Sequence, residues 1–124
     1  MRLLVFGDKT FIRKFTGQEI NGVEITGVSD VNELPVKIRN GQIDIILVNG
    51  LKGDADTICE SIKGFCRLPI ALLVRDKQVN WNEMDYLIID GFIPEQATGL
   101  ELKARLDAIL RRSKPTQNII KQLA

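Results

Sequence analysis

The sequence predicts one doubly wound α/β domain, a five-stranded parallel sheet with helices on both faces. Three observations predict it. Short apolar runs alternate with amphipathic segments five times along the 124 residues. Two of those runs, Ile43-Asp44-Ile45-Ile46-Leu47-Val48 and Ile70-Ala71-Leu72-Leu73-Val74, are almost unbroken aliphatic sequence, as expected for strands covered on both faces. No long break interrupts the alternation, so each crossover should be right-handed and the strands parallel.

Taken in order, Leu3-Leu4-Val5-Phe6 is the first strand, followed by a short helix carrying Phe11, Ile12 and Phe15. Val23 to Val28 alternates as a half-exposed edge strand does. Asp30 or Asn32 then caps a helix with Leu34 and Ile38 four apart. Pro35 falls in its first turn, where a missing N–H costs least, and Asn40-Gly41 ends it. After the third strand, a helix from about Asp54 to Phe65 has Ile58, Ile62 and Phe65 on its apolar stripe. Pro69 opens the fourth strand. The segment Trp81 to Ile89 fits a helix by the spacing of Trp81, Met84, Leu87 and Ile88, although Tyr86 to Ile89 also fits a strand. A helix followed by the strand Gly91-Phe92-Ile93 is the preferred reading. In the last helix, Thr98 and Glu101 form a capping box. Leu102, Leu106, Ile109 and Leu110 make its apolar stripe, and Glu101–Arg105 and Asp107–Arg111 are ion pairs at helical spacing. Residues 1–112 form the domain, and 113–124 read as a linker or C-terminal tail.

Composition narrows the function. With 17 basic and 16 acidic side chains the net charge is +1, too small for a field that would recruit nucleic acid or an anionic membrane. No apolar run approaches the ~20 residues of a membrane span. The chain has no histidine, which removes most metal sites and hydrolytic triads. Cys59 and Cys66, seven apart, would lie about 10 Å apart along a helix. That is too far for a disulfide, and they read as reduced thiols in a cytoplasmic protein. Gly50-Leu51-Lys52-Gly53-Asp54 lacks the spacing of a phosphate-binding loop and reads as a connector.

Three phrases, in order and in spacing, resemble the receiver domain of bacterial response regulators over roughly residues 2 to 112. They are Val23-Glu24-Ile25-Thr26-Gly27-Val28-Ser29-Asp30, Gln42 to Gly50 through the third apolar run, and Asp90-Gly91-Phe92-Ile93-Pro94 with the helix from Glu101 to Arg112. The resemblance implies a flavodoxin-like strand order 2-1-3-4-5, with a site at the carboxyl ends of the strands. It also implies where the phosphoryl-transfer residues would stand. The acidic pair after strand one falls on Gly7 and Asp8, and the acceptor aspartate on Asn49. The hydroxyl residue of strand four falls on Val74, and the lysine after strand five on Glu95. Asn49 is neither a usable nucleophile nor a good magnesium ligand. Val74 cannot bond a phosphoryl oxygen, and Glu95 would repel one.

The expectation is therefore a degenerate receiver, or pseudo-receiver: a signalling module without catalysis, cofactor or metal, acting by protein contact. Its partner would be another protein or an attached output domain, or a second copy through the face of the fourth helix, fifth strand and last helix. Trp81, Phe92 and Leu106 are the partner-contact candidates, although apolar residues at such spacing equally suit a core. Two rival readings are a small-molecule-binding flavodoxin-like domain and a receiver phosphorylated at a displaced acid, Asp44 or Asp54.

Overall fold

The unbroken aliphatic runs become interior strands. The computed structural model describes residues 1–51, 53–75 and 89–123, the last ten of these as backbone only. Its strands are β1 (Arg2–Phe6), β2 (Glu24–Val28), β3 (Ile45–Asn49), β4 (Ile70–Val74) and β5 (Gly91–Pro94). They form one sheet in the order β2-β1-β3-β4-β5, with every pairing parallel. All five residues of β3 and of β4 are buried, whereas the edge strand β2 is covered fully only at Val28.

Alternation along each strand sends side chains into two separate cores, one on each face of the sheet. On one face Leu4, Ile46 and Leu72 meet Leu34 of α2 (Leu34–Gly41) and Cys59 and Ile62 of α3 (Ala55–Lys63). On the other, Val5, Leu47 and Ile93 meet Phe11 and Phe15 of α1 (Lys9–Thr16) and Leu102, Leu106 and Ile109 of α4 (Gly99–Leu123). Burying one such aliphatic side chain contributes about 1.5–3 kcal/mol. No helix among the described residues is long and apolar enough to cross a membrane.

Polar side chains tie the amino edge of the sheet. Asp44 Oδ2 accepts from the Arg2 N–H at 2.8 Å. Asp90 Oδ2 accepts from the Ile70 N–H at 2.8 Å and from Lys63 Nζ at 3.2 Å, joining the ends of α3, β4 and the approach to β5.

Several local expectations are corrected. The left-handed residue that ends α2 is Gln42, with φ 52° and ψ 47°, not Gly41, because the helix keeps Gly41 in its last turn. Phe65 lies beyond the end of α3, after Gly64 caps it, and is 41% exposed. The buried stripe of that helix is Ala55, Cys59 and Ile62, with Ile58 only half-buried. Asp107 pairs with Lys103 on the preceding turn, at 2.8 Å, rather than with Arg111. Glu101 does pair with Arg105, so its carboxylate serves that pair, while Thr98 Oγ1 makes a long bond of 3.4 Å from the Glu101 N–H. The backbone of α4 is helical across 113–123, which is compatible with a linker or tail beyond the 1–112 domain. Pro115 removes one hydrogen bond, a loss a helix can absorb with a local bend. Trp81, Met84 and Tyr86, with the helix or strand expected around them, lie outside the described residues.

Candidate functional site

At the carboxyl end of β1 the chain turns directly into α1. Asp8 makes that turn as the N-cap: its Oδ1 accepts from the Phe11 N–H at 2.8 Å, satisfying one of the donors a helix start leaves open. Gly7 precedes it, and a Cβ there would collide with the Phe11 ring. Phe11 is buried and packs edge-on against Phe15, with centroids 5.0 Å apart. No side chain, acidic or otherwise, fits at position 7 without moving that ring.

Asn49 ends β3 beside this turn. At 7% exposure it is the single buried polar residue among those described. Its Oδ1 accepts from the Leu51 N–H at 3.0 Å, a side-chain turn of the kind Asn favours. The next residue, Gly50, is pressed against β4, where a Cβ would strike the Leu73 carbonyl oxygen. Asp8 and Asn49 share a cavity of about 610 Å³ with the β2–α2 turn on one side and α3 on the other.

Val74 and Glu95 are not brought into that cavity. Val74 is buried at the end of β4, in register with Pro94, and its carbonyl accepts from the Glu95 N–H at 2.8 Å. Glu95 turns instead to Arg75, with Oε2 3.1 Å from Nε, while its own carbonyl accepts from Lys14 Nζ at 3.2 Å. Of the expected five positions, then, Gly7, Asp8 and Asn49 converge, and Val74 and Glu95 form a second group closed by an ion pair. Arg75 escaped the sequence pattern, although a cation directly after β4 was a usable signal. So did Thr57 and Ser61, which line the cavity from α3; their spacing of four places both hydroxyls on one face.

Asp44 precedes β3 at the amino edge and is bonded to Arg2, at the end of the strands opposite the cavity. Asp54 does line the cavity. Leu106 is fully buried against the sheet and offers nothing to a partner, because its face of α4 is the one the core takes. Phe92 is half-buried on β5. Among the described residues no group of three or more acids and cysteines is placed to hold a metal ion.

No family model matches this chain, and no curated protein matches it. Solved structures do. The N-terminal domain of a response regulator/sensory box/GGDEF 3-domain protein from Carboxydothermus hydrogenoformans superposes with a TM-score of 0.72. It is 20% identical, over 94% of this chain and 98% of that one. A two-component response regulator from Clostridium difficile gives 0.68 at 25% identity, over 91% and 98% of the two chains. This chain has the receiver fold. NtrX from Brucella abortus, solved with ADP, contains a region of the same fold: the TM-score is 0.74 at 14% identity, over 98% of this chain and 28% of NtrX. In the receiver fold, as in other doubly wound sheets, the crevice for ligands lies outside the carboxyl ends of the strands. Asp8 and Asn49 stand there.

Proposed function

We propose that this is a receiver-type regulatory domain that works without phosphoryl transfer, as a pseudo-receiver acting through protein contacts in the cytoplasm. The observation that carries this reading is the arrangement at the carboxyl edge. Aspartyl phosphorylation needs a carboxylate nucleophile, a hydrated magnesium ion on carboxylate oxygens, and a hydroxyl and a cation for the transferred group. Here Asn49 occupies the nucleophile's place, and the Phe11 ring fills the space an acid at position 7 would need. Asp8 caps α1. Asp30 and Asp54 also line the cavity, but among the described residues no three such groups are placed to hold a metal ion. These residues do not fit magnesium. Val74 offers no hydroxyl, and Glu95 brings negative charge already neutralised by Arg75.

The working surface in this reading is the region around β5 and α4, meeting a partner protein, an attached output domain or a second copy, with 1–112 as the functional unit. Leu100, 86% exposed in the first turn of α4, replaces Leu106 as the apolar residue this helix presents. Phe92 and Trp81 remain partner candidates.

The test is an amide NMR titration with magnesium and beryllofluoride, a phosphoryl mimic. The expected result is a spectrum unmoved at millimolar reagent. Saturable shifts at Asp8, Asn49 and Val74 would show a working anion site and end the pseudo-receiver reading.

A further inference from the structure

The cavity at the carboxyl edge has a chemistry of its own. Its volume, about 610 Å³, lies within the range of small-ligand sites. Phe6, Val48 and Ile58 supply an apolar lining, and Thr57 and Ser61 add hydroxyls. Asp30 and Asp54 stand exposed on its walls, and no cationic side chain lines it among the described residues. Asp30 spends one oxygen on the Asn32 N–H. Asp54 occupies the N-cap position of α3 yet makes no cap bond to its own helix. With carboxylates at that helix start, the anion-attracting character of a helix N-terminus is cancelled. Phosphate-like ligands are therefore disfavoured.

A second observation is independent of these acids. Asn49 is more than nine-tenths buried, and the Leu51 N–H fixes its orientation, because only Oδ1 can accept that bond. Nδ2 must then point the other way, and it donates to no group among the described residues. Among the described residues no side-chain nitrogen or oxygen is both sealed from solvent and unpaired, so Nδ2 opens onto the cavity that Asn49 lines. A buried amide donor aimed into a pocket asks for an acceptor, most simply a carbonyl oxygen.

We propose that this cavity binds a small organic cation that also carries a carbonyl oxygen, the chemistry of an amino-acid amide. The carbonyl meets Asn49 Nδ2, the ammonium group meets Asp30 and Asp54, and the apolar body lies on Phe6, Val48 and Ile58. The proposal goes beyond the pseudo-receiver reading and does not depend on it.

L-leucinamide is the probe, titrated into the full chain and followed by amide NMR. Saturable shifts at Gly7, Ser29, Asn49 and Thr57 are expected. N-acetyl-leucinamide, which lacks the cation, and L-leucine, which replaces the amide by a carboxylate, should each bind several-fold more weakly. Asp30→Asn combined with Asp54→Asn should weaken leucinamide about tenfold, and Asn49→Ala by a similar factor. The two aspartates are exposed, so that double variant folds and decides the matter even if Asn49→Ala does not. No saturable shift at tens of millimolar leucinamide, equal binding of leucine, or unchanged affinity in either variant overturns the proposal. Shifts with inorganic phosphate instead would also overturn it. The beryllofluoride titration reads a different ligand, so either idea can fail without the other.

Discussion

Single residues decide what the carboxyl edge can do. Gly7 is more than a missing carboxylate, since Phe11 packs into the space its side chain would need. Gly7→Ala should lower stability by about 1–3 kcal/mol through overpacking, measured by urea denaturation. A value near zero would mean the ring yields freely and an acid could be restored there. Cys59 makes a different test. Burial first, then the Asp56 carboxylate, pushes its thiol from 9.0 up to about 11, with Lys63 opposing. The unfolded thiol ionises from about 9 and the folded one only near 11, so this contribution to stability is intact below pH 9 and lost as pH rises through 11. In native protein at mildly alkaline pH, iodoacetamide should label the half-buried Cys66 and leave Cys59 intact. Equal labelling would show that α3 opens readily.

Elements were legible in the sequence to the degree that their burial is two-sided. β3 and β4 could be read directly because both faces are apolar. The helices were legible as elements, but their partner choices and ends were not, since those depend on register by a single residue. Asp107 has cations both four before and four after it, and the sequence cannot say that Lys103 wins. Phe65 continues the apolar spacing of α3 by one turn, but the backbone has already left the helix at Gly64. The two leucines of α4 make the phase testable. Leu106→Ala should cost about 2–5 kcal/mol, whereas Leu100→Glu should change stability by no more than about 0.5 kcal/mol. Thermal denaturation of both variants checks it, and similar losses in the two would mean that α4 is rotated from the position described.

At the scale of the whole molecule, the fold could be read and the site only in part. Strand order, and the positions Gly7, Asp8 and Asn49 that converge, are what the resemblance to the receiver family implies. The closure of Gly7 by Phe11, the Arg75–Glu95 pair and the free face of the Asn49 amide come from contacts between distant segments that no local pattern encodes. The strand order also has a consequence for how the domain is made. β1 pairs with β2 at Arg2 and Glu24, and with β3 at Leu3 and Ile45. After that each new strand joins the one synthesised before it, Ile70 beside Ile46 and then Gly91 beside Ala71. Parallel pairing over such separations is slow, but here the sheet grows by accretion in the order the chain leaves the ribosome. Every described residue that lines the cavity lies between Phe6 and Ser61. Those parts of the pocket are thus made before β4 and β5, and the face proposed for partners is made after those parts.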